Sequence, residues 1–199
     1  MTAFSLNFDY RCPFARNANE HVLAALAAGA DWEVSFRGFS LTAAHAEPDE
    51  PFAWSDPAQR PDLYALAAGL AVRDAFPEHF RTVHRALFAA RHDHGEDLRD
   101  VEVVHKALAT GGVDPDAVAA ELETGRPFAT LQQEHEAAVA GHQVFGVPTF
   151  SNGRDAVFVR LMTRPGDDGA TATATIERVL ELLERHPELN EYKHTTIAR

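Results

Sequence analysis

The sequence predicts an α/β chain in which a β-α-β opening and a β-β-α close are separated by an all-helical stretch. Three observations carry this reading. Phe4-Ser5-Leu6-Asn7-Phe8-Asp9-Tyr10 alternates apolar and polar side chains, the pattern of a half-buried strand. Strand-like sequence returns at residues 32–37 and again after residue 144. Between these, residues 56–141 place apolar side chains at helical spacing.

In chain order, the first strand gives way at Pro13 to an alanine-rich helix reaching Ala28. Val22, Leu23 and Leu26 share one face, and Gly29 is a natural C-terminal stop. Trp32-Glu33-Val34-Ser35-Phe36-Arg37 alternates as a second strand and completes a βαβ unit. Pro48, Pro51, Pro57 and Pro61 then break a polar, acidic stretch that reads as a loop and a domain boundary. Leu63, Leu66 and Leu70, then Phe80, Val83, Leu87 and Phe88, recur at helical intervals. Asp100, and Asp114 ahead of Pro115, mark helix starts, and Arg126-Pro127 begins another. This stretch holds four or five helices. Residues 144–150 and 156–162 read as strands joined by a turn containing Asn152-Gly153. A last helix from Thr173 to Arg185 aligns Ile176, Val179, Leu180 and Leu183, and Pro187 ends it.

A chain of 199 residues suffices for one generous domain or a small domain carrying an inserted one. A net charge of −12 leaves no basic face for nucleic acid or an anionic membrane surface. No apolar run approaches the ~20 residues that span a bilayer. Met1-Thr2-Ala3-Phe4-Ser5 runs directly into the first strand without the basic start of a signal peptide, so a cytoplasmic chain is expected. The single cysteine excludes a disulfide within the chain and agrees with a reducing compartment.

That cysteine, Cys12, stands at the junction of the first strand and helix. A thiol there faces unpaired N–H groups and the positive end of the helix dipole, which favour thiolate. Pro13 suits the first helical position, and Arg11 and Arg16 add positive charge. A depressed thiol pKa is therefore expected. The competing reading is a small buried hydrophobe.

Of eleven histidines, the densest group of candidate ligands is His92-Asp93-His94-Gly95-Glu96-Asp97. It lacks zinc spacing and a second cysteine, so it reads as a solvated turn and no metal site is assigned. His79 and His84 do not share a helix face cleanly. His135 and His142 fit surface placement, and His21 lies too far along its helix to serve Cys12 as a base. Phosphate-loop, dinucleotide and nucleophile-elbow motifs are absent. Phe52, Trp54, Tyr64 and Phe80 either line the site or belong to the core.

With Cys12-Pro13-Phe14-Ala15 early and Gly146-Val147-Pro148-Thr149-Phe150 late, the order of elements resembles the DsbA-like branch of the thioredoxin superfamily. That branch includes FrnE-type oxidoreductases, hydroxychromene-carboxylate isomerases and kappa-class glutathione transferases. The resemblance implies a thioredoxin fold formed by residues 1–55 and 142–199, with 56–141 as an all-helical insertion. It makes Cys12 the nucleophile, with Arg11, Pro13 and Arg16 supporting its thiolate. It makes Pro148 a cis proline facing the sulfur, and Phe14, Val147, Pro148 and Thr149 the groups that meet substrate or thiol.

Ala15 departs from the family, standing where dithiol members have the resolving cysteine. Redox chemistry then recruits an outside thiol, such as glutathione or mycothiol, against a mixed disulfide or small electrophile. A thiol-dependent isomerase or transferase is the alternative, and a non-catalytic binding module is the third reading. No covalently bound cofactor is implied, and pairing of two chains as a homodimer stays open.

Overall fold

The computed structural model describes residues 1–47, 49–50, 52–166, 168–194 and 196; Pro48 and Pro51, two of the four loop-breaking prolines, lie outside them. Strand β1 (Thr2–Phe8) is paired on both edges. It runs parallel to β2 (Trp32–Gly38) and antiparallel to β3 (Thr149–Ser151), which pairs antiparallel with β4 (Ala156–Phe158), giving the order β2-β1-β3-β4. Because β1 is central, its end is covered on both faces and even Asn7 is buried.

β1 ends earlier than the alternation suggested. The Asp9 carboxylate accepts the amides of Arg11 and Leu41, each at 2.9 Å, and draws the chain out of the ladder into a loop. The later strands are also shorter than expected. Residues 144–148 form a loop, since Pro148 has no N–H to offer a partner strand. β4 stops at Phe158, and farther on the Leu161 carbonyl is held by the Asn17 side-chain amide at 2.7 Å.

Helix α1 (Pro13–Ala27) connects β1 to β2 and packs along the C-terminal helix. A four-residue helix, α2 (Leu41–Ala44), follows under a Ser40 cap and was not expected from the sequence. After a 3-10 turn at Pro57–Gln59 come α3 (Arg60–Ala75), α4 (Pro77–His92), α5 (Val101–Thr110), α6 (Pro115–Glu123) and α7 (Arg126–His142). The expected helix starts are present. Asp100 and Asp114 cap α5 and α6 by accepting the amides of Glu102 and Asp116 at 3.0 Å. The final helix, α8 (Gly169–Arg185), begins before Thr173 because Asp168 caps it, accepting the Thr171 amide at 3.0 Å.

The α3–α7 helices share the apolar core of the sheet. Phe36 of β2 meets Phe80 of α4 at 5.3 Å between ring centroids, and Phe8 of β1 meets His84 at 4.6 Å. Burying each such aromatic side chain contributes roughly 1.5–3 kcal/mol. A buried carboxylate reinforces the seam: Glu134 of α7 accepts the Gly38 amide at 2.7 Å and is paired with Arg73 and Arg37. The result fixes α4 against the loop that carries Cys12.

Candidate active site

Cys12 is the N-cap of α1 and only 7% exposed. Its Sγ accepts the Ala15 amide at 3.4 Å, and the thiol donates to the Val147 carbonyl at 3.2 Å. The peptide bond that follows, Val147–Pro148, is cis. Val147, Pro148 and Thr149 are buried, and the Thr149 hydroxyl donates to the Gly146 carbonyl at 2.8 Å. Pro13 is exposed at the first turn of α1, and Phe14 is half-buried beside the sulfur.

The electrostatics differ from expectation. Burial pushes the Cys12 thiol up, and the amides of Ala15 and Phe14, which pull it down, are outweighed. The expectation of a depressed thiol pKa is thus overturned: desolvation of the charged sulfur exceeds what the helix terminus supplies. Nor are Arg11 and Arg16 the cations at the sulfur. Arg11 is held by Asp62 at 3.1 Å, by Thr42 and by Asp9 at 3.6 Å. Arg16 is buried and paired with Glu20 at 2.9 Å and with Asp93. The cation whose charge lowers the thiol is Arg160, just beyond β4, which no sequence motif marks.

A buried polar chain ties the loop that carries Cys12 to α4. The Asn19 amide donates to the Ala15 carbonyl at 2.7 Å, which leaves its oxygen to accept His84 Nε2–H at 2.9 Å. His84 Nδ1 is then the acceptor for the Tyr10 hydroxyl at 2.8 Å. Burial holds His84 neutral, its pKa lowered to about 3, and pushes the Tyr10 hydroxyl far up. At the end of α4, His92 Nε2–H donates to the Tyr10 carbonyl at 2.9 Å.

Several readings of polar and aromatic residues are corrected by this geometry. His92 is half-buried against the loop instead of sitting in a solvated turn, although His94 is exposed. His135 is buried between Phe39 and Trp54, not on the surface. Among the described residues, no group of three or more metal-ligating side chains forms. Phe52 packs on Trp54, Tyr64 bonds His105, and Phe80 is core. The rings of Phe14 and Phe158 lie under the Arg160 guanidinium, and Phe145 packs on Phe158.

A cleft of about 240 Å³ opens on the other side of the loop, between Asp9, Tyr10 and Arg11, helix α3, and Arg91, Asp97 and Arg99. Cys12 does not line it. The Cys12 sulfur instead meets the N-terminus of α1 and the Val147 carbonyl ahead of cis Pro148.

A family model described as a DSBA-like thioredoxin domain matches residues 5–164. The chain belongs to the DSBA-like thioredoxin family. Disulfide reductases and isomerases are among the proteins that share its fold. The probable DsbA oxidoreductase of Streptomyces coelicolor is 17% identical, with 94% of this chain and 92% of that one covered and a TM-score of 0.58. The cytosolic disulfide reductase DsbM of Pseudomonas aeruginosa, solved with GSH, is 19% identical over 90% of this chain and 100% of its own, TM-score 0.59. A 2-hydroxychromene-2-carboxylate isomerase is 16% identical over 90% and 97%, TM-score 0.59. These likenesses concern the DsbA-like fold. No curated protein matches the chain. Among the described residues, no helix is long and apolar enough to cross a membrane.

Proposed function

We propose that this DSBA-like protein is a cytoplasmic monothiol thiol-disulfide oxidoreductase that works with an external low-molecular-weight thiol, glutathione or mycothiol. One observation carries the reading: Cys12 Sγ sits at a helix N-terminus against Val147 and cis Pro148, while the buried Ala15 occupies the place of a second thiol. In this reading residues 1–55 and 142–199 carry the thiol chemistry and 56–141 form the insertion.

The Cys12 thiolate attacks one sulfur of a mixed disulfide. That S–S bond breaks, its electron pair leaves with the released thiolate, and Cys12 becomes disulfide-linked to the small thiol. A second small thiolate attacks this adduct, frees Cys12 and departs as a symmetrical disulfide. In the net exchange the substrate sulfur leaves as a thiolate, one external thiolate is consumed, and the disulfide bond passes to the pair of small thiols, so no other oxidant or reductant is needed. The Ala15 amide is positioned to hold negative charge on the sulfur. The Val147 carbonyl accepts the resting S–H, which agrees with a thiol that is protonated until a partner arrives.

Intact mass after incubation with oxidised glutathione or mycothiol disulfide is expected to show one adduct that is absent in Cys12→Ser. A second reading, a thiol-dependent isomerase, draws on the shared fold with the chromene-carboxylate isomerase and on the lack of a second thiol. No adduct, together with glutathione-dependent isomerisation of an aromatic substrate, would establish that reading and overturn the first.

A further inference from the structure

We propose that Arg160 selects an anionic partner at the Cys12 sulfur, so that the thiol or disulfide taken there carries a carboxylate or similar negative group close to its sulfur. This rests on the thiol chemistry above and names the class of its co-substrate.

The Arg160 guanidinium carbon lies 5.3 Å from the centroid of the Phe14 ring and 5.5 Å from that of Phe158. Phe14 belongs to the loop that presents Cys12. Phe158 lies against the loop on the other side of the sulfur: a β-carbon on Gly146 would meet its ring at 3.5 Å. Phe145, 70% exposed, continues the surface at 5.1 Å from Phe158. A cation on an aromatic shelf therefore bridges both loops that flank the nucleophile.

Several arginines, Arg60, Arg81, Arg85 and Arg185 among them, share with Arg160 the lack of a hydrogen bond or ion pair among the described residues; what sets Arg160 apart is that its free guanidinium stands over Phe14, two residues from Cys12. Arg11, Arg16, Arg73 and Arg164 are each held by carboxylates. Among the described residues Arg160 has ring contacts but neither a hydrogen bond nor an ion pair, in a chain with 30 acidic and 18 basic residues. Stacking orients a guanidinium while leaving its edge N–H groups open, the fork that binds a carboxylate in two places. The rings beneath offer apolar surface to the ligand's carbon skeleton. A neutral small thiol would gain the rings and leave the cation unused.

The test compares two disulfides that release a chromophore on attack by Cys12: the dianionic dithiobis(nitrobenzoate) and the neutral dithiodipyridine. Loss of the Arg160 charge also shifts the thiol itself, which slows both probes alike and cancels in the ratio of their rates. In Arg160→Gln the anionic-to-neutral ratio is expected to fall about fivefold, the size of an exposed charge pair near 1 kcal/mol. Arg160→Lys should keep most of it, and high salt should erase the wild-type preference. An unchanged ratio in Arg160→Gln, with circular dichroism showing a folded chain, overturns the proposal. A wild-type Cys12 inert to both probes overturns the thiol chemistry itself and this inference with it.

Discussion

A β-carbon placed on Gly69 would stand 2.2 Å from the Tyr10 hydroxyl oxygen. Helix α3 thus meets the loop that carries Cys12 with only a hydrogen atom between them. That approach lets the Tyr10 hydroxyl reach His84. Gly69→Ala is expected to displace Tyr10 and lower stability by about 1–3 kcal/mol, the cost of overpacking a filled core. Urea unfolding followed by circular dichroism checks this, and an unchanged midpoint would show that the ring moves aside freely.

His84 gives the fold a pH dependence with a definite sign. Its pKa is lowered to about 3 in the folded chain and near 6.5 when unfolded. The unfolded state therefore takes up the proton, and the stability present above pH 6.5 is lost as pH falls toward 3. By pH 5.5 this amounts to about 1.4 kcal/mol. Burial lowers His92 and His135 as well, so they act in the same direction. His84→Gln, which accepts from Tyr10 and donates to Asn19 without titrating, should flatten the acid side of the stability profile by roughly that amount.

Alkylation of Cys12 is expected to accelerate through the alkaline range, with a midpoint above that of free cysteine, because burial disfavours the thiolate. The raised folded pKa also means that stability is lost as pH climbs past the unfolded thiol value of ~8.5. Iodoacetamide labelling against pH, with Cys12→Ser as blank, measures the first effect. A midpoint below the free-thiol value would restore the helix terminus as the dominant influence.

Glu134 holds α7 to the end of β2 through the Gly38 amide and to α3 through Arg73 at 2.8 Å. Glu134→Ala leaves the Gly38 amide without its acceptor and removes one of the two carboxylates on Arg73, which keeps Asp74 and the Phe36 carbonyl. A loss of about 1–3 kcal/mol is expected, the cost of a buried amide left without a partner. The unfolding midpoint of this variant against Glu134→Gln separates charge from hydrogen bonding.

Periodicity made the architecture legible in the sequence. Alternation at 4–10 and 32–37, apolar spacing from Leu63 to Phe88, and the capping residues Asp100 and Asp114 each describe short-range geometry, and each marks an element that is present, although β1 stops at Phe8. Cys12 and the Val147–Pro148 loop were legible because both lie at breaks between elements. What stayed hidden depends on distant segments meeting. The thiol pKa is set by how deeply tertiary packing buries Cys12. Arg11 and Arg16 are claimed by Asp62 and Asp93, 51 and 77 residues away in sequence. Arg160 comes over Phe14 only because the chain beyond β4 lies beside the proline loop, where the Val159 amide donates to the Pro148 carbonyl. The histidines carry no local mark that distinguishes a buried bridge from a surface ligand.

The lone Cys12 above a buried Ala15 also decides what can be measured about this protein's redox state. A dithiol member stores an electron pair internally and has a reduction potential of its own. This chain has no such couple. Any potential assigned to it belongs to the adduct with an outside thiol and moves with that thiol's concentration and oxidation. The poise of Cys12 is therefore a property of the surrounding thiol pool, and titration against a single redox buffer would describe the buffer as much as the protein.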